Sequence, residues 1–196
     1  MRTDFSRTGP LMGCASAICF GLSWIVSAML WGDWVLGSNS LSSIGVCGVA
    51  SAEMVFNLGC GATGILVTFL GLALIDDRNR LFRYGGITSV ICGCACVGIA
   101  AVNEDYGAIH MAIASIYGAG AAFTIGLTGA GDYNEGYRPF TFLAAALLIL
   151  CGITSLTCPF GVYEPIAVSC ILVWTFTESL LVYLRNRKEE VSADDH

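Results

Sequence analysis

Six apolar stretches divide this chain, and all nine of its basic residues fall at its two ends or in every second connection between the stretches. A helix needs about 20 mostly apolar residues to cross a bilayer. The stretches 11–30, 53–75, 85–102, 109–129, 140–157 and 166–184 meet that requirement. In lipid, the backbone must satisfy its own hydrogen bonds within each segment. The expected fold is therefore all-α: a polytopic integral membrane protein, one six-helix transmembrane bundle, with a charged tail over 185–196. Composition agrees. Charged residues make up 12% of the chain, against about 25% in a soluble domain. The mean hydropathy of +0.73 is more apolar surface than a soluble core of this size can hide.

The basic residues give an orientation. Arg2 and Arg7 precede the first helix, and Arg78, Arg80 and Arg83 lie between the second and third. Arg138 lies between the fourth and fifth, and Arg185, Arg187 and Lys188 follow the sixth. Cytoplasmic loops are enriched in Lys and Arg, so both termini are expected on the cytoplasmic side of a multi-pass protein of the cell membrane. Trp31, Trp34 and Tyr163 fall at the outer boundary, and Tyr84, Tyr137 and Tyr183 at the inner one, as an aromatic belt requires. The first helix follows two arginines like a signal peptide, but its apolar run is too long and no small-residue cleavage site follows it. It is expected to be retained.

The net charge of −6 owes much to the terminal acids Glu189, Glu190, Asp194 and Asp195. No basic patch of nucleic-acid type is present. Most of the ten cysteines sit inside apolar runs, where they read as small packing residues. Cys92, Cys94 and Cys96 do not form a metal cluster, because Cys94 points off the helix face shared by the other two. Cys47 and Cys158 both fall near the outer face, where a disulfide is one option. Two small-residue ridges, Gly13-Ala17-Gly21 and Ala114-Gly118-Ala122-Gly126, suit close helix packing in lipid. The longest connection, 31–52, is Ser/Gly-rich yet keeps apolar residues, so it lies along the membrane surface or folds back between helices.

Polar chemistry gathers on the expected outer side. The first loop offers Asp33, Asn39, Ser40, Ser42 and Ser43. Glu53 and Asn57 share a helix face at i and i+4. The third connection holds Glu104, Asp105 and, at the start of helix 4, His110; the fifth holds Glu164 before Pro165. A carboxylate beside an imidazole can orient a general base or help hold a cation. The same acids can equally cap helix 4 at its positive end. Zinc is disfavoured with one non-terminal histidine; a divalent, oxygen-loving cation suits the carboxylates better. No Gly-x-Ser-x-Gly elbow surrounds the loop serines. Glu178 is a separate case: an acid inside the sixth apolar stretch is costly to insert, and reads either as a proton-relay group or as a buried acid paired with Thr88 or Thr124.

The run Asn39-Ser40-Leu41-Ser42-Ser43-Ile44-Gly45, then Phe56-Asn57, Glu104-Asp105-x-Gly107-x-x-His110 and Glu164-Pro165 before Trp174 resembles the prokaryotic six-helix membrane family known as domain of unknown function 998. The likeness extends from the first helix to the sixth. It implies a compact six-helix bundle with shared polar residues on the outer side, and carries no activity with it. Asn39, Ser42, Asn57, Glu104, Asp105, His110 and Glu164 match the family pattern. Ser43 stands where members carry an acid and Asn103 where they carry proline, which weakens a metal site that needs a first-loop carboxylate.

The leading expectation is an outward-facing polar pocket lined by these residues, binding a lipid headgroup, a cation or a small polar molecule. As an enzyme it would hydrolyse or transfer a lipid headgroup, with His110 as acid–base and Glu104 and Asp105 orienting it or holding a metal. The alternatives are a small carrier, with a polar path from this cluster to Glu178, and an accessory subunit packed on a protein partner or a second copy.

Overall fold

The computed structural model describes residues 4–194, with side chains from residue 8 to residue 189. It is all-helical: α1 (Asp4–Trp31), α2 (Ala50–Ile75), α3 (Arg80–Ala101), α4 (Ala108–Asn134), α5 (Arg138–Thr157) and α6 (Phe160–Asp194). Two short 3-10 turns, Ser42–Val46 and Glu104–Tyr106, lie in the connections after α1 and α3. Each of the six helices is long and apolar enough to cross a membrane. Much of the apolar surface points outward: Leu156 is 87% exposed and Phe142 72%. Side chains of that kind belong in lipid rather than water.

The helices run up and down, with sequential neighbours packed side by side and α6 returning to α1. Two sets of contacts fix the ends. At one end Arg185 of α6 reaches Asp77 after α2 and Glu135 after α4. At the other, Ser40 reaches Glu104, and Glu164 at the start of α6 reaches Leu41 and Ser42. We call these the termini end and the loop end.

The tightest seam joins α2 to α3, and glycine makes it. A Cβ on Gly71 would lie 2.8 Å from Gly86 O, and one on Gly64 would lie 2.6 Å from Gly93 O. Each pair is spaced by seven residues, two helical turns, so it forms one face. The small-residue ridge of α4 behaves differently from the close packing expected of it. A Cβ on Gly118 meets nothing within 4 Å. On α1, Gly13 lies against Ser179 of α6 while Gly21 is open. α5 sits at the edge: 17% of its apolar window is buried, against 39% for α2 and α3.

α6 is longer at both ends than the apolar run 166–184. Its start at Phe160 takes in Pro165. Proline has no N–H to give the carbonyl four residues back; that carbonyl, Gly161 O, accepts from Gly37 N at 3.2 Å instead. The first loop is thereby tied to α6. At the far end the stretch expected as a tail continues α6 to Asp194. Arg2 and the last two residues lie outside the described residues, as do the side chains of Arg7, Glu190 and Asp194. All ten cysteines are free, Cys47 and Cys158 included. Cys92 and Cys96 are buried and Cys94 is exposed, as helical geometry requires.

Candidate functional site

Loop 31–49 folds back into the bundle instead of lying on its surface. Leu41 and Ile44 are buried and join a core cluster with Phe20, Phe56, Cys60 and Cys96. Trp34 packs edge-on against Trp24 and donates through Nε1 to Ser40 O at 3.1 Å. The tryptophan expected in the interfacial belt therefore also clamps the loop. Asn39 turns the chain: its Oδ1 accepts from Val35 N at 2.9 Å. Ser40 Oγ accepts from Ser43 N at 3.0 Å and opens the 3-10 turn.

Glu164 is the anchor. Its Oε2 accepts from Leu41 N at 2.6 Å and its Oε1 from the Ser42 hydroxyl at 2.8 Å. Asn57 Nδ2 donates to Gly45 O at 3.1 Å, and Glu53 Oε1 accepts from Gly48 N at 2.6 Å. Asn39, Ser42, Asn57 and Glu164 thus meet on one loop. Glu104 touches its edge, accepting from Ser40 Oγ at 3.4 Å.

His110 and Asp105 stand apart from that group. His110 is buried, and its Nδ1 bonds Val102 O at 2.8 Å. Val102 is the C-cap of α3, whose last carbonyls lack helical partners; the imidazole supplies one. Asp105 is exposed. No carboxylate caps α4, whose N-cap is Gly107 with φ +53°, a backbone conformation that suits glycine. Among the described residues no hydrogen bond joins His110 to Glu104 or Asp105. Nor do three His, Cys, Asp or Glu side chains converge there in a way that could hold a metal.

Beneath the loop lies a cavity of about 380 Å³, with Ser42 and Glu164 at its polar end and Phe20, Phe56, Tyr117 and Val168 on its walls. It opens on the flank because α4 and α6 barely touch. Besides Met111 and Tyr117, the α4 wall is made of the small residues Ala114, Ser115, Gly118 and Ala119. Ten residues separate the start of α4 from Gly118, about 15 Å of rise. That is half the thickness of a bilayer's hydrocarbon core.

A second, smaller cavity of about 40 Å³ follows deeper in the bundle, sharing Tyr117 and Ile171 with the first and reaching Glu178. Glu178 is buried, and its partners are not the expected threonines. Thr88 and Thr124 bond each other at 2.8 Å across α3 and α4. The group facing Glu178 is Asp132 of α4, also fully buried. Sequence reading missed Asp132 because the fourth apolar run fades at Gly129, whereas α4 continues to Asn134. It also missed Arg185, which is buried beside Asp77 and Glu135 with its guanidinium 4.5 Å above the Phe82 ring.

Residues 14–180 match the model of a family described as protein of unknown function (DUF998). Neither the curated proteins nor the solved structures give a match.

Proposed function

The chain belongs to the DUF998 family, a family of unknown function, and for it we propose the binding of a single membrane lipid in the flank cavity. One observation carries the reading: an apolar-walled cavity, bordered by the exposed α4 residues Ser115, Gly118 and Ala119, ends on a polar rim, the pair Ser42 and Glu164. A lipid chain occupies the slot and its headgroup meets Ser42, Glu164 and Glu104. That rim is acidic, and the loops at this end carry no Lys or Arg. It favours a headgroup with an amine or hydroxyls over a bare phosphate. Asn39 and Asn57 hold the loop that forms the rim. By the excess of Lys and Arg at the other end, the rim faces outward from the cell membrane and the termini face the cytoplasm. Glu104, Asp105 and His110 stay candidates for headgroup contact. A hydrolytic version has less support, because His110 spends its Nδ1 on a backbone carbonyl.

The test is lipid retained by full-length protein in mild detergent, read by native mass spectrometry. Gly118→Phe fills the slot from a position where an added side chain meets nothing within 4 Å. Gly152→Phe, at an equally open position on α5, is the control. Retained lipid drops about tenfold in the first, a cost of about 1.4 kcal/mol, and is unchanged in the second. Equal retention in both variants sinks the reading.

A carrier reading has one observation in its favour: the two cavities meet at Tyr117 and Ile171, so a path from the rim to Glu178 is interrupted only there. Uptake that survives Glu178→Gln unchanged removes it.

A further inference from the structure

Four acids and one cation gather at the termini end of the bundle. Arg185 is shared by Asp77 and Glu135, so its two faces are taken. Asp132 and Glu178 come in addition. Asp132 is 0% exposed and Glu178 2%, and none of their four carboxylate oxygens has a protein donor. Asp132 of α4 and Glu178 of α6 face each other, and a hydrogen bond between two carboxyl groups needs a proton. Uncompensated carboxylates this deep in a bundle are costly.

The small cavity beside Glu178 has mostly apolar walls with a few hydroxyls set into them. The hydroxyls on its wall give their protons to backbone carbonyls: Ser16 to Gly13 O, Ser89 to Val67 O, Thr124 to Gly120 O and Thr128 to Thr124 O. Thr128 Oγ1 in turn accepts from Trp174 Nε1 at 3.2 Å. Thr63 lines it too, 3% exposed and with its hydroxyl unpartnered. Ser179, next to Glu178, is fully buried and likewise unpartnered. A volume of about 40 Å³ holds about three or four water molecules, at about 10–15 Å³ each, or one partly hydrated ion. Hydroxyl and carboxylate oxygens are the ligands of a small hard cation.

We propose that Asp132 and Glu178, with the small cavity that Glu178 borders, form a binding site for one monovalent cation, either a proton held by the acid pair or a sodium ion. The site is independent of the lipid slot: it lies on the other side of Tyr117, and its chemistry is charge rather than apolar fit. The charged groups facing it are Arg185 from α6 and Glu135 after α4; Asp77 after α2 is paired with Arg185. Tyr117, Cys92 and Trp174 are its other polar-edged walls.

The experiment uses the full chain in detergent, with two readouts. Thermal stability is measured in sodium against choline at equal ionic strength. The infrared difference spectrum between acidic and alkaline buffer is recorded for its carboxylic-acid C=O band. A sodium-dependent rise in Tm that vanishes in Glu178→Gln assigns sodium. A titrating carboxylic-acid band lost in Glu178→Gln and in Asp132→Asn assigns the proton. Either result supports the site. If wild type shows neither a sodium effect nor such a band, the proposal is overturned with no variant needed. If the band appears but survives both substitutions, it belongs to other acids and the proposal fails as well.

Discussion

Arg185 and Arg187 lie two positions apart in α6, yet the first is buried between two acids and the second is exposed. Removing one partner from a buried ion pair leaves the other charge stranded, at about 3–5 kcal/mol. Arg185→Ala should therefore cost about 3 kcal/mol, the lower end of that range, because Asp77 and Glu135 each keep a hydrogen bond from Asn79. Arg187→Ala should stay within about 0.5 kcal/mol, as surface changes do. Reversible denaturation in mixed micelles measures both, and similar losses would refute the bridging role. Side-chain chemistry is legible in the sequence where it breaks a pattern. Glu178 stands out as an acid in an apolar run; Arg185 looks like one more basic residue past a helix end. Its burial comes from α6 running on beside two loops far away in the chain, which no local pattern encodes. His110 shows the converse. The residue type is right for chemistry, but its nearest acceptor is a helix-end carbonyl, because that unpaired group lies closer to it than either acid does.

At the scale of elements, the six helices are legible because apolar length alone specifies them; their ends are not. Pro165 suggests a loop, but a freed carbonyl can be satisfied from outside the helix, and Gly37 does so. Glycine patterns mislead in a similar way. The regular ridge on α4 borders open space, while the seam that seals α2 against α3 uses a seven-residue spacing that stands out less. Spacing tells which residues share a face; it does not tell what that face meets. The two cases should separate under the same substitution. Gly71→Ala drives a Cβ to 2.8 Å from a backbone oxygen, an atom that cannot turn aside, and overpacking of this kind costs about 1–3 kcal/mol. Gly118→Ala meets nothing and should be neutral within about 0.5 kcal/mol. Comparable losses of thermal stability in the two variants would contradict the seam.

The molecule as a whole has two chemically distinct ends, and its orientation decides what each one meets. The loop end carries Glu53, Glu104, Asp105 and Glu164 without a basic residue; the termini end carries the described basic residues Arg78, Arg80, Arg83, Arg138, Arg185, Arg187 and Lys188. That division is legible in the order of residues alone, because insertion sorts Lys and Arg by side whatever the fold. Packing, which makes the two cavities, is not. Exposed positions at each end test the orientation. Ser38→Cys at the loop end should react with a membrane-impermeant maleimide added to intact cells, over the background set by the native cysteines. Asn134→Cys, at the termini end, should react only after the cells are opened. With that result the lipid slot draws on the outer leaflet, and the acid pair lies within a few turns of the cytoplasm. The reverse labelling would put the slot in the inner leaflet and the acid pair near the outer surface. It would leave the fold and both cavities as they are, and would reverse the side from which a cation reaches Glu178.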